Sequence, residues 1–373
     1  MIYADNAATT QLDDEAFAVM KKYLREDYGN ASQPYSFART AKKALYEARA
    51  AIAACIGAHA DEIYFTSGGT ESDNWALKGV ALGGTAPKQI LTSSIEHHAI
   101  LHCATALEQL GHHITYLPVD KYGIIAPETL EHHMAVSPHL TSIMLANNEI
   151  GTVEPIAVLA EIAHKHGSLF HSDAVQAVGH IPVDVNALGI DLLSASGHKF
   201  HGPKGVGFLY IRRGTRIVSY ASGGAQENGL RAGTENIPAI AAMAKALENA
   251  CLSMTETQAK LSRMEDRFFE YLQAAHVPYI KNGAIDHLPG CINISIQKAD
   301  GEMLLHRLDL KGICISTGSA CDSKTTQASH VIQAIGVPTD YAHGTIRITF
   351  GKTNKEDDAY FVAKAVSEIL RKH

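Results

Sequence analysis

Lys199 is the residue whose position most clearly suggests chemistry. It follows a predicted strand, within the glycine-rich run Ser196–Gly205 (SGHKFHGPKG). A lysine amine presented at the end of a strand by a tight loop is suited to forming a Schiff base with an aldehyde cofactor. Taken alone, the pattern is more often a surface lysine in a turn, so the neighbouring segments decide between the two interpretations.

A carboxylate, Asp173, stands at the end of another predicted strand, about one α/β unit upstream of Lys199. In open α/β sheets, ligands bind outside the carboxyl ends of the strands. A carboxylate there can pair with a pyridinium nitrogen, and Gln176 in the following turn could reach the ring hydroxyl. Without the lysine, a helix cap is the more common role for such an aspartate.

The segment Thr66–Asn74 (TSGGTESDN) places a glycine turn between a predicted strand and a predicted helix. The unpaired N–H groups and the dipole of a helix N-terminus form an anion site. Gly69 permits close backbone approach, and Thr70 adds a hydroxyl donor. The segment lacks the G-K-[ST] of a Walker A loop, and a simple capped helix is the alternative.

His97 follows the next predicted strand, again at its carboxyl end. An imidazole there could stack on an aromatic cofactor and transfer a proton. A partly buried histidine that caps a helix is the alternative for this residue.

Cys321 lies in a run of small and polar residues, Ser316–Lys324 (STGSACDSK). A thiol presented on an exposed loop is a candidate nucleophile, unlike Cys55 or Cys314 in their apolar contexts. An accidental surface thiol is the more common explanation for a single loop cysteine.

Short apolar strands alternate with helical stretches in the middle of the chain, which predicts an α/β domain with a mainly parallel sheet. The predicted strands are Glu62–Thr66, Gln89–Ser93, Thr141–Ala146, Ser168–Ser172, Leu192–Ser196 and Gly207–Ile211. The predicted helices are Ser72–Ala81, Ala99–Leu110 and Pro155–His166, followed by one long helical pattern over Ile237–Ala275.

The pattern then changes to a smaller α+β domain of roughly a hundred residues. Its predicted strands are Cys291–Ile296, Ile313–Ser316 and Ile346–Phe350, and its predicted helices are Gly301–Leu310 and Lys355–Arg371. The predicted organisation is a large domain over residues 13–255, with residues 1–12 and 256–373 forming the small domain that carries the Cys321 loop.

Composition excludes several classes of protein. The net charge of −7 over 373 residues argues against nucleic acid as the main partner. No run approaches the ~18 apolar residues of a membrane helix, and the first residues do not resemble a signal peptide. The six cysteines form no C-x-x-C pair, so no metal site is expected. These features predict a cytoplasmic protein with free thiols.

Taken together, these residues resemble the cysteine desulfurases of the class V aminotransferase group, from Tyr3 to the last predicted helix. Eight motifs in one order carry the resemblance: Asp5–Thr10 (DNAATT), Thr66–Asn74, Glu96-His97, Asn147–Gly151 (NNEIG), Asp173–Gln176, Ser196–Gly205, Arg231–Thr234 (RAGT) and Gly318–Cys321. The resemblance implies the fold type I of enzymes that depend on pyridoxal 5′-phosphate, with a mainly parallel seven-stranded sheet in the large domain.

The resemblance also implies how the cofactor is held. Lys199 corresponds to the Schiff-base lysine and proton carrier, and His97 to the residue stacked over the ring. Asp173 corresponds to the partner of the pyridine nitrogen and Gln176 to the contact of the ring oxygen.

The phosphate contacts implied are Thr70, Ser196 and His198, with the backbone of Gly69. Thr234 is expected to reach the phosphate in the other subunit, which implies a homodimer with shared sites.

Asn148 and Arg347 are similar to the residues that contact the cofactor and the substrate carboxylate, for which a guanidinium fork is well suited. The implied reaction takes sulfur from L-cysteine, leaves L-alanine and places a persulfide on Cys321. The persulfide then passes to an acceptor protein, an iron–sulfur scaffold or a thiolation enzyme.

The sequence also departs from the family pattern, chiefly at Tyr35, Ala225 and Asn228. These departures bear on the acceptor partner more than on the chemistry. Two relatives with the same cofactor site stay open as alternatives: a selenocysteine lyase and a small-substrate class V aminotransferase. A catalytically idle scaffold is disfavoured because Lys199 is present.

Overall fold

The computed structural model describes residues 1–317 and 328–371. Its strands, in chain order, are β1 (Ile2–Tyr3), β2 (Ile63–Thr66), β3 (Gln89–Ser93), β4 (His113–Leu117), β5 (Leu140–Ser142), β6 (Leu169–Asp173), β7 (Leu192–Ser196), β8 (Gly207–Ile211), β9 (Tyr279–Lys281), β10 (Cys291–Ile296), β11 (Ile313–Cys314) and β12 (Thr345–Thr349).

The helices connect these strands and cover the faces of the sheets. They are α1 (Asp14–Arg25), α2 (Arg39–Cys55), α3 (Gly69–Ala81), α4 (His98–Gln109), α5 (Pro127–His133), α6 (Ile156–Lys165), α7 (Ile237–Leu252), α8 (Met254–Ala274), α9 (Gly301–Asp309), α10 (His330–Ala334), α11 (Thr339–Ala342) and α12 (Glu356–Leu370). Within the described ranges, no helix is both long and apolar enough to cross a bilayer.

Seven strands form the central sheet, in the order β2-β8-β7-β6-β5-β3-β4. The pairs among β4, β3, β5, β6 and β7 are parallel, whereas β8 is antiparallel to both β7 and β2. The predicted mainly parallel seven-stranded sheet is therefore confirmed. Because parallel strands end at one edge, the segments that follow them converge there.

Both faces of the central sheet are buried, as its nearly continuous apolar strands require. Successive residues point to opposite faces. Leu192 therefore packs with α3 and α4 on one side, and Leu193 with α2, α6 and α7 on the other. These layers form two apolar cores and fix the strand ends rigidly against the helices.

A separate apolar core lies in the C-terminal part of the chain. It joins the antiparallel strands β9, β10 and β12 to α8, α9 and α12, and it includes Ala4 from the N-terminal segment. The predicted domain boundary near residue 255 stays a prediction, although this core draws its residues from 261 onwards and from the N-terminus.

Several predicted elements differ from the structure in their bounds. The predicted helical pattern over Ile237–Ala275 is confirmed as helical, and it forms two consecutive helices, α7 and α8, that meet at Ser253. The strand over Thr141–Ala146 ends earlier, at Ser142, and the strand over Ile313–Ser316 ends at Cys314.

Gly207 determines how closely the first glycine turn approaches the central sheet. It pairs with Thr66 on β2 and with Ser196 on β7. A Cβ atom at this position would lie against the Ala195 carbonyl oxygen and 2.7 Å from the Gly68 Cα atom. Only glycine therefore lets residues 67–69 pack beside Ser196.

We expect the Gly207→Ala substitution to lower the free energy of unfolding by roughly 2–3 kcal/mol, because backbone atoms must move to admit the new methyl group. Gly205→Ala is the control. It has a positive φ of 76° but open space around an added Cβ, so only a backbone cost of about 1 kcal/mol is expected. Urea unfolding of both variants without cofactor measures the difference, and equal losses would contradict this packing argument.

Candidate active site

A cavity of about 560 Å³ opens at the carboxyl edge of the central sheet. This volume lies within the range of roughly 300–1,000 Å³ that is typical of small-molecule sites. Ten of the residues predicted from the sequence line it: Gly69, Thr70, His97, Asn148, Asp173, Gln176, Ser196, His198, Lys199 and Arg347. Segments far apart in the chain are thus brought to one place, as the sheet topology requires.

Lys199 lies in a short 3₁₀ turn directly after β7. Its Nζ atom donates hydrogen bonds to the backbone carbonyls of Ala7, at 2.6 Å, and Ala8, at 3.0 Å. The N-terminal segment thereby holds the amine at the cavity wall. An amine in this position can act as a nucleophile towards a carbonyl group and can carry a proton.

Asp173 ends β6 and is almost completely buried, with 4% of its surface exposed. Its Oδ1 atom accepts the Val175 N–H at 2.9 Å. Burial raises the pKa of Asp173 to about 6, while this hydrogen bond and the nearby charge of Lys199 act in the opposite direction. A buried carboxylate of this kind favours a cationic or N–H partner in the cavity.

The glycine turn before α3 forms another part of the cavity wall. Gly68 has a φ of 151°, and a Cβ atom on Gly69 would lie only 2.6 Å from a methyl carbon of Val175. The backbone therefore comes close to Ser196 and Val175, and the first N–H groups of α3 have no acceptor within the helix. This part of the cavity wall is suited to an anion.

His97 caps α4, because its Nδ1 atom accepts the Ala99 N–H at 3.1 Å. In the neutral ring the proton then lies on Nε2. Burial lowers the pKa of His97 to about 4, and the charge of Lys199 adds to this effect. The two predicted roles are therefore compatible: the side chain caps the helix and also presents a neutral imidazole to the cavity.

His198 and Gln176 tie the N-terminal segment to the cavity. His198 Nδ1 lies 3.1 Å from the Thr9 hydroxyl, and burial lowers the pKa of His198 to about 4, with Lys199 contributing. The Gln176 amide donates to the Ala7 carbonyl at 3.0 Å, which is the same oxygen that Lys199 contacts.

Arg347, on β12, brings the C-terminal core to the cavity. Its guanidinium donates to the Asn148 carbonyl at 2.8 Å and to the Asp5 carboxylate at 2.9 Å. The Nε atom is buried and has no hydrogen-bond partner within the described residues. Two partners thus hold the cation in place at the cavity wall, and a guanidinium is suited to pairing with a carboxylate.

One predicted site residue among the described residues, Thr234, does not line this cavity. Thr234 is exposed and is not part of the cavity lining, so it cannot be assigned a contact within its own chain. Cys321 lies outside the described residues.

Sequence reasoning gave no role to several groups that line the cavity. The carbonyls of Ala7 and Ala8 are backbone groups, whose direction no side-chain pattern reveals. Asp73 and Lys204 lie within quoted motifs. Asp73 follows Thr70 by three positions on α3, a spacing that places two side chains on one helix face, and this signal could have identified it.

These features fit the expected pyridoxal 5′-phosphate. The glycine cradle before α3 suits a phosphate, with Ser196 beside it and His198 in the same cavity lining, and the buried Asp173 carboxylate suits a pyridinium nitrogen. Lys199 supplies the amine that an aldehyde requires. The two charged ends of the cofactor thus meet groups of complementary charge and hydrogen-bonding capacity.

Comparison with known proteins agrees with this geometry. The family Aminotransferase class-V matches residues 2–361. A cysteine desulfurase IscS of Methanosarcina thermophila is 46% identical over all of this chain and 92% of its own length. Another from Dictyoglomus turgidum is 48% identical over all of this chain and 95% of its own length.

Solved structures show the same similarity. A NifS-like protein superposes with a TM-score of 0.93 at 36% identity, over all of both chains. The protein SspA in complex with cysteine gives 0.84 at 33% identity, over 94% of this chain and 99% of its own.

The low pKa of His97 predicts how the difference in stability between wild type and the His97→Asn variant changes with pH. Asparagine keeps the helix cap but does not titrate. Wild-type protein binds a proton at His97 on unfolding between about pH 6.5 and the folded value of about 4. Its stability relative to the variant should therefore fall as the pH falls through this window, by about 2–3 kcal/mol in total.

Urea unfolding of the cofactor-free proteins at several pH values measures this difference. A free-energy difference between wild type and variant that is constant from about pH 7 to pH 4 would mean that His97 titrates normally in the folded protein.

Proposed function

Because the chain belongs to the class-V aminotransferase family, and within it to the cysteine desulfurases, we propose that the cavity around Lys199 takes sulfur from L-cysteine and leaves L-alanine. The observation that carries this proposal is the convergence of Lys199, Asp173 and the glycine cradle on one cavity at the carboxyl edge of the sheet. The enzyme depends on pyridoxal 5′-phosphate, which when bound supplies an electron sink for the substrate α-carbon.

Four groups of the chain hold and protonate the reacting system. Lys199 Nζ removes the proton from the substrate α-carbon and returns it, as general base and then general acid. Asp173 would hold a proton at the ring nitrogen of the bound cofactor. His97, which is neutral at pH 7, would cover the face of the ring and present its Nε2–H as a hydrogen-bond donor. Gln176 would donate a hydrogen bond to the ring oxygen.

The remaining contacts position the two anionic groups. Gly69, Thr70, Ser196 and His198 would bind the phosphate of the cofactor. Arg347, fixed by Asp5 and Asn148, receives the carboxylate of L-cysteine, which places the substrate α-carbon near Lys199. Orientation of this kind contributes to the rate by removing the entropic cost of bringing the groups together.

Cys321 completes the reaction as the nucleophile. Its thiolate attacks the sulfur atom of the substrate, the bond from carbon to sulfur breaks, and the electron pair of that bond stays with the substrate, which becomes L-alanine after protonation. The sulfur atom remains on Cys321 as a persulfide. An acceptor protein, either an iron–sulfur scaffold or a thiolation enzyme, then takes it up.

A homodimer with shared sites accounts for two surface features. Thr234 is exposed and is not part of its own cavity lining, so we assign it to the phosphate of the partner subunit. Several large aromatic side chains are about half or more exposed in the N-terminal region: Tyr28, Tyr35, Phe37 and Tyr46. A second copy would cover such apolar surface.

We assign the enzyme to the cytoplasm. All five cysteines among the described residues are free thiols, which supports a reducing compartment.

The Cys321→Ala substitution tests the nucleophile. Alanine formation from L-cysteine should fall by more than about 1,000-fold, as is usual when a covalent nucleophile is removed. The visible absorption band of the bound cofactor should still change when L-cysteine is added, because substrate binding does not need the thiol. Cys314→Ala, in β11 of the same region, is the control and should keep its activity. Alanine formation by Cys321→Ala at the parental rate would refute this mechanism.

The Arg347→Lys substitution tests the carboxylate contact. Lysine keeps the charge but not the planar fork. The loss of one charge-assisted hydrogen bond, worth roughly 1.5–3 kcal/mol, should raise KM for L-cysteine at least about tenfold. Cysteamine, which lacks the carboxylate, should show no such penalty.

Arg263→Lys provides the matched control for this experiment, because Arg263 is exposed and pairs with Glu356 on the surface. An equal penalty for cysteamine and L-cysteine in Arg347→Lys would show that the arginine acts on the fold rather than on the substrate carboxylate.

A further inference from the structure

Asp73 is a carboxylate in the cavity to which the proposed reaction gives no role. It lies on α3, one turn after the glycine cradle, and only 1% of its surface is exposed. It nevertheless lines the cavity that holds Lys199 and Asp173. A buried carboxylate is costly to a fold unless it is paired or protonated, so its presence requires a reason.

The surroundings of Asp73 are themselves polar and ordered by the sheet. One side-chain atom from each of Asp73, His97 and Asp173 lies within 4.8 Å of the other two. Asp173 is paired in register with Ser194 on β7, and Ser194 is hydrogen-bonded to Asp73. The strand register thus places both carboxylates around one serine.

His171, which is fully buried and does not line the cavity, extends this hydrogen-bond network. Its Nε2 atom lies 3.0 Å from the Ser194 hydroxyl, and its Nδ1 atom lies 2.8 Å from the Ser142 hydroxyl. The His171 Nε2 atom lies 3.8 Å from Asp73 Oδ1, which is too far for a hydrogen bond. Both nitrogen atoms of His171 are therefore already engaged with serines.

One oxygen of Asp73 has no hydrogen-bond partner in the part of the chain that the structure describes. Oδ1 is buried and makes no hydrogen bond with any described residue. An ionised carboxylate with an unsolvated oxygen would be strongly unfavourable at this depth. A protonated carboxyl group resolves the problem, because the proton converts an acceptor without a donor into a donor.

The titratable groups around Asp73 offer little positive charge to compensate a second carboxylate. They come from β6, from the segment before α4 and from the turn after β7: Asp173, Glu96, His97, His171 and Lys199. Burial raises the pKa of Asp73 well above its usual range, and repulsion by Asp173 and Glu96 adds to this. Burial lowers the pKa of His171 to about 3 and that of His97 to about 4, so both are neutral at pH 7.

Lys199 is the cation of this group, and its charge acts on Asp173. Two carboxylates this close cannot both be ionised with so little compensating charge. Asp173 has the backbone N–H of Val175 to stabilise its ionised form, whereas Asp73 Oδ1 has no donor. Of the two carboxyl groups, Asp73 is therefore the one that carries the proton.

We propose that Asp73 is a positioning residue for the ring-nitrogen contact: it is protonated in the working enzyme and directs that proton towards the Asp173 carboxylate, so that the pair carries one negative charge. Ser194 and His171 fix the orientation of the pair. This proposal rests on the proposed function in one respect, that Asp173 faces the ring nitrogen of the cofactor.

The consequence concerns the strength of the Asp173 contact. A carboxylate that accepts a hydrogen bond from Asp73 is less basic than one without it. It therefore leaves the proton on the ring nitrogen instead of drawing it away, and the ring keeps its positive charge. Asp73 thus acts on the cofactor through Asp173, without touching it.

Infrared spectroscopy of the cofactor-free protein tests the protonation state. With aspartate labelled by ¹³C at its side-chain carboxyl, the stretching band of a protonated aspartic acid should be present in wild type at about pH 7.5. Asp73→Asn should lack this band. Glu154→Gln is the matched control, since it removes another buried carboxyl whose pKa burial raises to about 8, yet leaves every aspartate in place.

The coupling to the cofactor is measured in the loaded enzyme, by the chemical shift of a ¹⁵N-labelled ring nitrogen. Asp73→Asn still offers an N–H donor to Asp173, so the shift should stay at the wild-type value. Asp73→Leu removes the donor at similar volume, so Asp173 becomes more basic and the nitrogen shift should move towards that of an unprotonated ring.

The outcomes separate this inference from the proposed function. An infrared spectrum without the aspartic acid band in wild type, or with the band retained in Asp73→Asn, would refute a protonated Asp73. Equal nitrogen shifts in wild type, Asp73→Asn and Asp73→Leu would show that Asp73 only fills space, and an equally large change in both variants would refute the donor role. Failure of the wild-type protein to bind the cofactor would instead overturn the proposed function. The infrared result would still decide whether Asp73 is protonated, because it is obtained without cofactor.

Discussion

The site is organised around the attraction between the Lys199 ammonium and the buried Asp173 carboxylate. Burial disfavours the ionised form of Asp173, whereas the nearby charge of Lys199 favours it. The two groups are near each other only because β6 and β7 are adjacent and parallel, with Asp173 and Ser194 in register. The apolar packing on both faces of the sheet holds these strand ends still, so a few buried charges can be placed with the accuracy that catalysis needs.

The N-terminal segment links this arrangement to the second core. The Ala7 carbonyl accepts hydrogen bonds from both Lys199 and Gln176, while the Asn6 amide donates to the Thr349 carbonyl at the end of β12. On the same strand, Arg347 pairs with Asp5. Arg347 and Lys199 are therefore positioned by one short stretch of chain. We expect a carboxylate that binds at Arg347 to affect the Lys199 amine through this stretch of chain.

Much of the fold and the site follows from local patterns. The strands over Gln89–Ser93, Leu192–Ser196 and Gly207–Ile211 have the predicted bounds, because continuous apolar runs between turn residues are typical of buried strands. The sheet rule then placed the predicted residues at one edge. The division of the helical pattern over Ile237–Ala275 into α7 and α8 at Ser253 does not show in the apolar periodicity of the sequence.

Other parts depend on contacts between distant segments, which a single sequence does not show. The carbonyls that hold Lys199 are backbone groups with no side-chain signature. The unpartnered oxygen of Asp73 becomes visible only when α3, β6 and β7 are seen together. The assignment of Thr234 to a partner subunit and the role of Cys321 stay predictions.

The most direct test of this account is to identify the lysine to which the cofactor is attached. The loaded protein would be reduced with borohydride, which makes the link permanent, then digested and examined by mass spectrometry. Among the described residues, the cavity lining includes two lysines, Lys199 and Lys204, so the experiment distinguishes between them. The account predicts the added mass on the peptide at Lys199, and its loss in Lys199→Ala. Attachment at Lys204, or no attachment under conditions where the visible band is present, would contradict it.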